Sequence, residues 1–585
     1  MHVNFVYVCV CAKSNKNKNS NENGVGVGVG VGVGLEGEVA DRVLSAVGLG
    51  RWQFPHLATL ILVQALRSLH LSCSPLMNPI VDFRCSPSSL PLTPSPLPTV
   101  NVITTNSINN KSGMYDNKCL DEKDVHNLWG NTTTTTLLSN NNNNNTVPLG
   151  PPSCPYVDYN DDIFQATVTS QWDLVCEREH LQPLFQLTFT LGSVFSSILG
   201  GDLSDRFGRK TVLCVSALVM LPTTLASTFT TSFPLLLFLR FLFGATTSIS
   251  YVAVYTLIVE VFPPQYRAVA QGSSLSFGAA IIAMGGVGYL LTAWRPLMLS
   301  FCVPAVLLIP PAFMMSWSPR WLVRRGRGRE AAEVLRKAAK LNKVNPSQPV
   351  LQSVLTKLGE VTETKHEVVS QSGEVMECLR NPAMRTILLF TPCIGFSLQA
   401  LWLGTAFSAN SFTSTNPQLY ILCIGVSQTI GSGLAIALNR SVNRRVLLGG
   451  GFMLVAFLLI IILTVSQGLW GVRWCLVMAS HLIVATCYET SVLYTMELMP
   501  TFFRSRGGCY VHFFYLVGEG FMTLLAHVLT KQVGWWSVNV TLCVLAVLGS
   551  LTVIPLPETR NKPLPETLHD ITKRSAREKK IPVEC

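Results

Sequence analysis

The chain has 585 residues, of which 48% are hydrophobic and 13% charged; an ordinary soluble domain carries ~25% charge. That balance excludes a soluble enzyme of usual composition and a mainly disordered chain. The formal net charge of +11 does not point to nucleic acid, because Lys and Arg gather in a few short segments between apolar runs, as the positive-inside rule produces in membrane proteins.

Residues 1–41 are low in complexity, with an Asn/Lys-rich stretch followed by Val/Gly alternation from Gly24 to Gly34. Such a segment buries no core and reads as a disordered tail. The apolar first eleven residues lack a following cleavage site, so no signal peptide is expected. Twelve apolar runs then follow at 56–80, 181–201, 211–231, 234–258, 268–290, 297–316, 386–407, 418–438, 446–466, 474–496, 507–529 and 534–555. Each approaches the ~20 residues needed to cross a ~30 Å hydrocarbon core. The first is the least apolar, with Arg67, His70 and two prolines. The expectation is an all-α integral membrane protein with twelve transmembrane helices. Residues 42–316 form one six-helix bundle and 386–556 a second. The linker 317–385 joins them, and 557–585 is a tail.

The linker holds 13 Lys/Arg, whereas the loop 81–180 holds 5 against 11 Asp/Glu. The linker and both termini are therefore expected in the cytoplasm and the long loop outside, in the plasma membrane. That loop offers glycosylation sequons at Asn110, Asn131 and Asn144. Its four cysteines, Cys85, Cys119, Cys154 and Cys176, suggest two disulfides in an oxidising compartment, with three pairings open.

The halves repeat one another. Glu260, Pro263 and Arg267 follow the fourth run, and Glu497, Pro500 and Arg504 follow the tenth, 237 residues later. Asp205-Arg206-Phe207-Gly208-Arg209-Lys210 separates runs two and three. Arg440-Ser441-Val442-Asn443-Arg444-Arg445, an eroded copy, separates runs eight and nine. Two similar bundles can rock about a central site, which is alternating access. Glu260, Arg267, Glu497 and Arg504, at helix ends, read as a cytoplasmic charge network.

The run from Gly201 through Asp205, Arg206, Gly208, Arg209 and Lys210 resembles the signature loop of the major facilitator superfamily, and this implies a gating element. Further stretches resemble solute carrier family 22, the organic cation, anion and carnitine transporters. They are Val43–Gln53, Ser170–Cys176, Ser318–Leu322 and Leu556–Thr567. The resemblance spans about residues 42–572. It implies a transporter of small organic ions, acting as a uniporter, exchanger or ion-coupled carrier. No cofactor or metal is implied. Neither a phosphate-binding loop nor a nucleophile constellation is present, so neither an ATP-driven pump nor an enzyme is expected.

Charged groups within a bilayer are costly and face a cavity or a partner. Arg67, Glu489 and Glu519 are such groups. Tyr251 and Tyr255 share one helix face at i and i+4, and the resemblance places them and Trp402 among aromatic cavity residues. Arg240 reads first as a packing residue. At the position where cation transporters carry Asp and anion transporters Arg, this chain has Leu516. The expected substrate is an organic cation or zwitterion, with Glu489 and Glu519 toward the cation and Arg67 toward a carboxylate. An organic anion transporter and a non-transporting sensor are the alternatives. Sodium or a proton is the coupling ion to consider, with His481 and His512 as proton carriers.

Overall fold

The computed structural model describes residues 43–79, 81, 83–86, 156–159, 163–263, 266, 272–344, 352, 371–410, 416–466, 468–500, 503–560, 562, 565 and 568–579. The tail 1–41, the three sequons, Cys119, Cys154 and Arg267 lie outside them.

Twelve long helices take the places of the twelve apolar runs. They are α1 (Phe54–Ser72), α2 (Leu184–Phe207), α3 (Arg209–Phe229), α4 (Phe233–Val261), α5 (Ser274–Leu290) and α6 (Trp294–Met314). The second six are α7 (Pro382–Asn410), α8 (Pro417–Ser441), α9 (Arg444–Thr464), α10 (Trp470–Leu498), α11 (Arg504–Gln532) and α12 (Trp535–Val553). Ten are long and apolar enough to cross a membrane; α1 and α5 are not among them. Gln64, Arg67, Ser68 and His70 dilute α1, and the described part of α5 has 17 residues. The helices α4, α7, α10 and α11 have 29 residues each. At ~1.5 Å per residue they exceed a ~30 Å core. The surplus of α4, α10 and α11 carries Glu260, Glu497 and Arg504 to the linker side of the molecule.

Close backbone approach sets the helix packing, as is usual where lipid replaces water. A Cβ on Gly192 would meet the Phe241 carbonyl oxygen at 2.0 Å, and one on Gly244 would meet that of Phe189 at 2.1 Å. Helices α2 and α4 therefore touch backbone to backbone. Arg240 joins α1, α2 and α4. Its guanidinium donates to the carbonyls of Phe185 (3.3 Å) and His70 (3.2 Å) and stacks 4.1 Å from the Phe185 ring. The bundles meet along α5 with α8 and α2 with α11. At the first crossing a Cβ on Gly425 would stand 2.7 Å from the Ile282 nitrogen.

On the loop side, Phe83–Ser86 (β1) pairs antiparallel with Tyr156–Tyr159 (β2), Cys85 facing Val157. Cys176 is disulfide-bonded. Trp172 rests on Trp294 with centroids 5.7 Å apart, and Asn78 donates to the Gln182 carbonyl. The end of the long loop is thus laid across the bundle. On the linker side, the helix Gly328–Leu341 buries an Ala/Leu face. Asn342 follows it, donating to the Val47 and Gly48 carbonyls and accepting from the Trp52 amide.

Candidate functional site

The α2–α3 turn needs glycine. Gly208 has φ +87°, and a Cβ there would lie 2.6 Å from the Trp317 ring. The turn sets Asp205 beside Arg209 (2.7 Å) and Arg209 beside Glu260 (3.1 Å). Trp321 Nε1 and Arg325 donate to the Asp205 carbonyl. The second half repeats this. Arg444 pairs with Glu497 at 3.3 Å, and Arg560 donates to the Arg440 carbonyl. Arg325 and Arg560 thus hold equivalent places 235 residues apart, a pairing the sequence reading missed because the surrounding residues differ. Glu558, within the Leu556–Thr567 stretch that carries the resemblance, gains a role from the structure; the carboxylate accepts from the amides of Arg444 and Arg445, capping α9. Among the described residues every ion pair of these networks closes within its own bundle. Arg504 donates to the Met499 carbonyl. Arg206 lies over its neighbour Phe207, and Gly201 faces Cys509 of α11.

Between the bundles is a cavity lined from six helices. Helix α1 contributes Gln64 and Arg67, α4 Tyr251 and Tyr255, α5 Ser274 and Phe277, α7 Gln399 and Trp402, α8 Gln428, and α10 Tyr488 and Glu489. Five of the six residues picked from sequence therefore line one cavity, Arg67, Tyr251 and Tyr255 from the first bundle and Trp402 and Glu489 from the second. Arg67, 6% exposed, stands 5.0 Å from the Tyr251 ring and bonds to Tyr488. Glu489 accepts from Ser274 (2.7 Å) and Ser432 (3.4 Å). Trp402 Nε1 donates to Gln428 Oε1 at 2.8 Å, and Gln428 in turn reaches Ser432. A polar chain therefore links the indole to the carboxylate. Arg67 feels the charge of Glu489 and Glu519, yet neither is among the ion pairs of the described residues.

Glu519 departs from expectation. It does not line the cavity. It lies one layer behind, 1% exposed, accepting from Thr190 (2.6 Å) and Gln399 (3.2 Å). Sequence reasoning missed Gln64, Ser274, Gln399, Gln428 and Tyr488. Their signal was present, as polar groups in apolar helices, but neutral side chains do not announce a cavity as a charge does.

A second cavity shares Tyr251, Tyr255, Tyr488 and Val492 with the first and adds His512, Tyr515, Cys509 and Met496. His512 stacks near Tyr251, with centroids 5.6 Å apart. His481 lies outside both, bonded to Thr405. Among the described residues no cluster suits a metal.

Two six-helix halves, a cavity between them and a duplicated charge motif define a membrane transporter of the major facilitator fold. Residues 137–569 match the family described as sugar (and other) transporter, and the chain belongs to that family. It is 27% identical over 428 residues to solute carrier family 22 member 21 of Mus musculus, covering 71% of this chain and 73% of that protein. It is 26% identical to organic cation/carnitine transporter 2 of Rattus norvegicus, covering 70% and 72%. These relatives bear out the resemblance to solute carrier family 22. In fold it is similar to the proton:xylose symporter XylE bound to a bromodeoxyglucose, with TM-score 0.53, 18% identity, and 67% and 90% coverage.

Proposed function

We propose that the chain carries a small organic cation or zwitterion across the plasma membrane by alternating access. One observation carries the reading: Arg67 and Glu489 line the same cavity without forming an ion pair. An unpaired charge in a low-dielectric site is costly. A ligand bearing an ammonium and a carboxylate satisfies both at once. The tyrosine faces between them suit an alkylammonium group. A relative named for organic cations and carnitine supports the same class.

The two charge networks then act as the linker-side ends of the rocking bundles, with the linker in the cytoplasm and the cysteine-bearing loop outside, glycosylated and disulfide-linked. The test is uptake into proteoliposomes of radiolabelled tetramethylammonium, benzoate and glycine betaine. Saturable accumulation of the betaine or the cation is expected. Binding without accumulation would identify a receptor, and accumulation of benzoate alone would reverse the charge preference.

A further inference from the structure

We propose that Glu519 is a proton-binding site that couples solute movement to pH, separate from the solute cavity; this rests on the transporter reading above. The carboxylate sits mid-way along α11 where α2 and α7 cross it. Its donors come from both bundles. Thr190 belongs to α2, and Gln399 belongs to α7. A hydroxyl and an amide group point hydrogens at it, whereas a sodium ion needs a shell of acceptor oxygens. The charged or titratable groups facing it are Arg67 from α1 and Tyr488 from α10. Helices α2 and α7 bring only the Thr190 hydroxyl and the Gln399 amide, and Leu516 stands one turn earlier on α11.

Linkage gives the consequence. When α2 leaves α11, Glu519 loses the Thr190 hydroxyl but stays walled by α7 and α11, and water entering the gap supplies the proton. A buried carboxylate deprived of donors takes up a proton. The proton forms an O–H bond on one carboxylate oxygen, and that bond breaks, releasing the proton, when Thr190 returns. Protons thus bind the parted arrangement and leave the closed one. By reciprocity, a pH gradient biases which way the bundles tilt. Gln399 touches both Glu519 and the cavity wall, so a bound solute is sensed at the proton site.

The test uses purified full-length protein and its tryptophan fluorescence, since Trp402 lies in the cavity. A titration from alkaline to acid pH is expected to show a transition in the native protein and in Glu489→Gln, and none in Glu519→Gln. Thr190→Val, which removes one donor and keeps the carboxyl, is expected to move the midpoint toward alkaline pH. In proteoliposomes Glu519→Gln is expected to retain exchange of radiolabelled glycine betaine for unlabelled betaine while its net uptake loses pH dependence. A transition persisting in Glu519→Gln would overturn the proposal. So would loss of exchange in that variant, which would make Glu519 a solute contact, or a midpoint that follows sodium at fixed pH. Native protein that titrates through Glu519 yet accumulates no solute would instead defeat the transporter reading.

Discussion

At the residue scale, the cavity is organised by opposite charges kept apart. Arg67 is held by Tyr488 and Tyr251, and Glu489 by two serines. A hydrogen bond to a charged group is worth about 1.5–3 kcal/mol, roughly tenfold to a hundredfold in affinity. Arg67→Ala is therefore expected to raise the KM for glycine betaine by about that factor and to leave tetramethylammonium less affected. Glu489→Gln is expected to weaken both. Uptake kinetics at matched surface expression check this, and equal losses for both solutes in Arg67→Ala would remove it from a carboxylate-binding role. Arg67 and Glu489 were legible in the sequence because a charge inside an apolar helix is costly enough to need a reason. Tyr251 and Tyr255 were legible through their i, i+4 spacing. Glu519 was legible as a charge within an apolar helix but not in its position. Its distance from the cavity depends on how α11 rotates against α2, and no local pattern encodes that rotation.

At the element scale, the turns and crossings explain what the repeat preserves. The first copy needs Gly208 because φ is +87° there; its counterpart Asn443 sits at φ −65° and needs none. The second motif is thus eroded in sequence and intact in geometry, which is why its equivalence was only half visible. Glu558 supplies the cap of α9. Burial pushes its carboxyl up, but the amides of Arg560, Arg445, Arg444 and Thr559 outweigh this and hold it below the usual carboxylate range. A depressed carboxylate stabilises the fold above its ordinary pKa, and that contribution is lost as pH falls through the lowered one. Glu558→Gln is expected to lower Tm at neutral pH, the difference narrowing in acid below the ordinary range. A gap independent of pH would contradict this charge-based cap. At the α5–α8 crossing, Gly425→Ala forces a Cβ to within 2.7 Å of the Ile282 backbone. Overpacking of this kind costs about 1–3 kcal/mol. The expected result is slowed turnover with solute affinity kept, read from kcat and KM; an unchanged kcat would mean that this contact does not move.

At the scale of the whole molecule, the proposed alternating access needs the halves to tilt as rigid bodies. The twelve helices, the linker and the duplication were legible because hydropathy and spacing encode them directly. The closure of each ion network within its own bundle was not, since sequence shows which charges exist and not which face one another. Halves that are each tied internally, and that touch through glycines and the hydrogen-bonded carboxylates Glu489 and Glu519, suit rigid tilting. The most direct measurement is a reversible tether on the linker side. A Cβ on Gly201 would lie 3.7 Å from the Cys509 Sγ, close to disulfide reach, so Gly201→Cys can join α2 to α11. Oxidation is expected to stop glycine betaine exchange in this variant and reduction to restore it, with the native protein unaffected by either. Exchange continuing at full rate through protein shown to be cross-linked would contradict the tilting of the two halves.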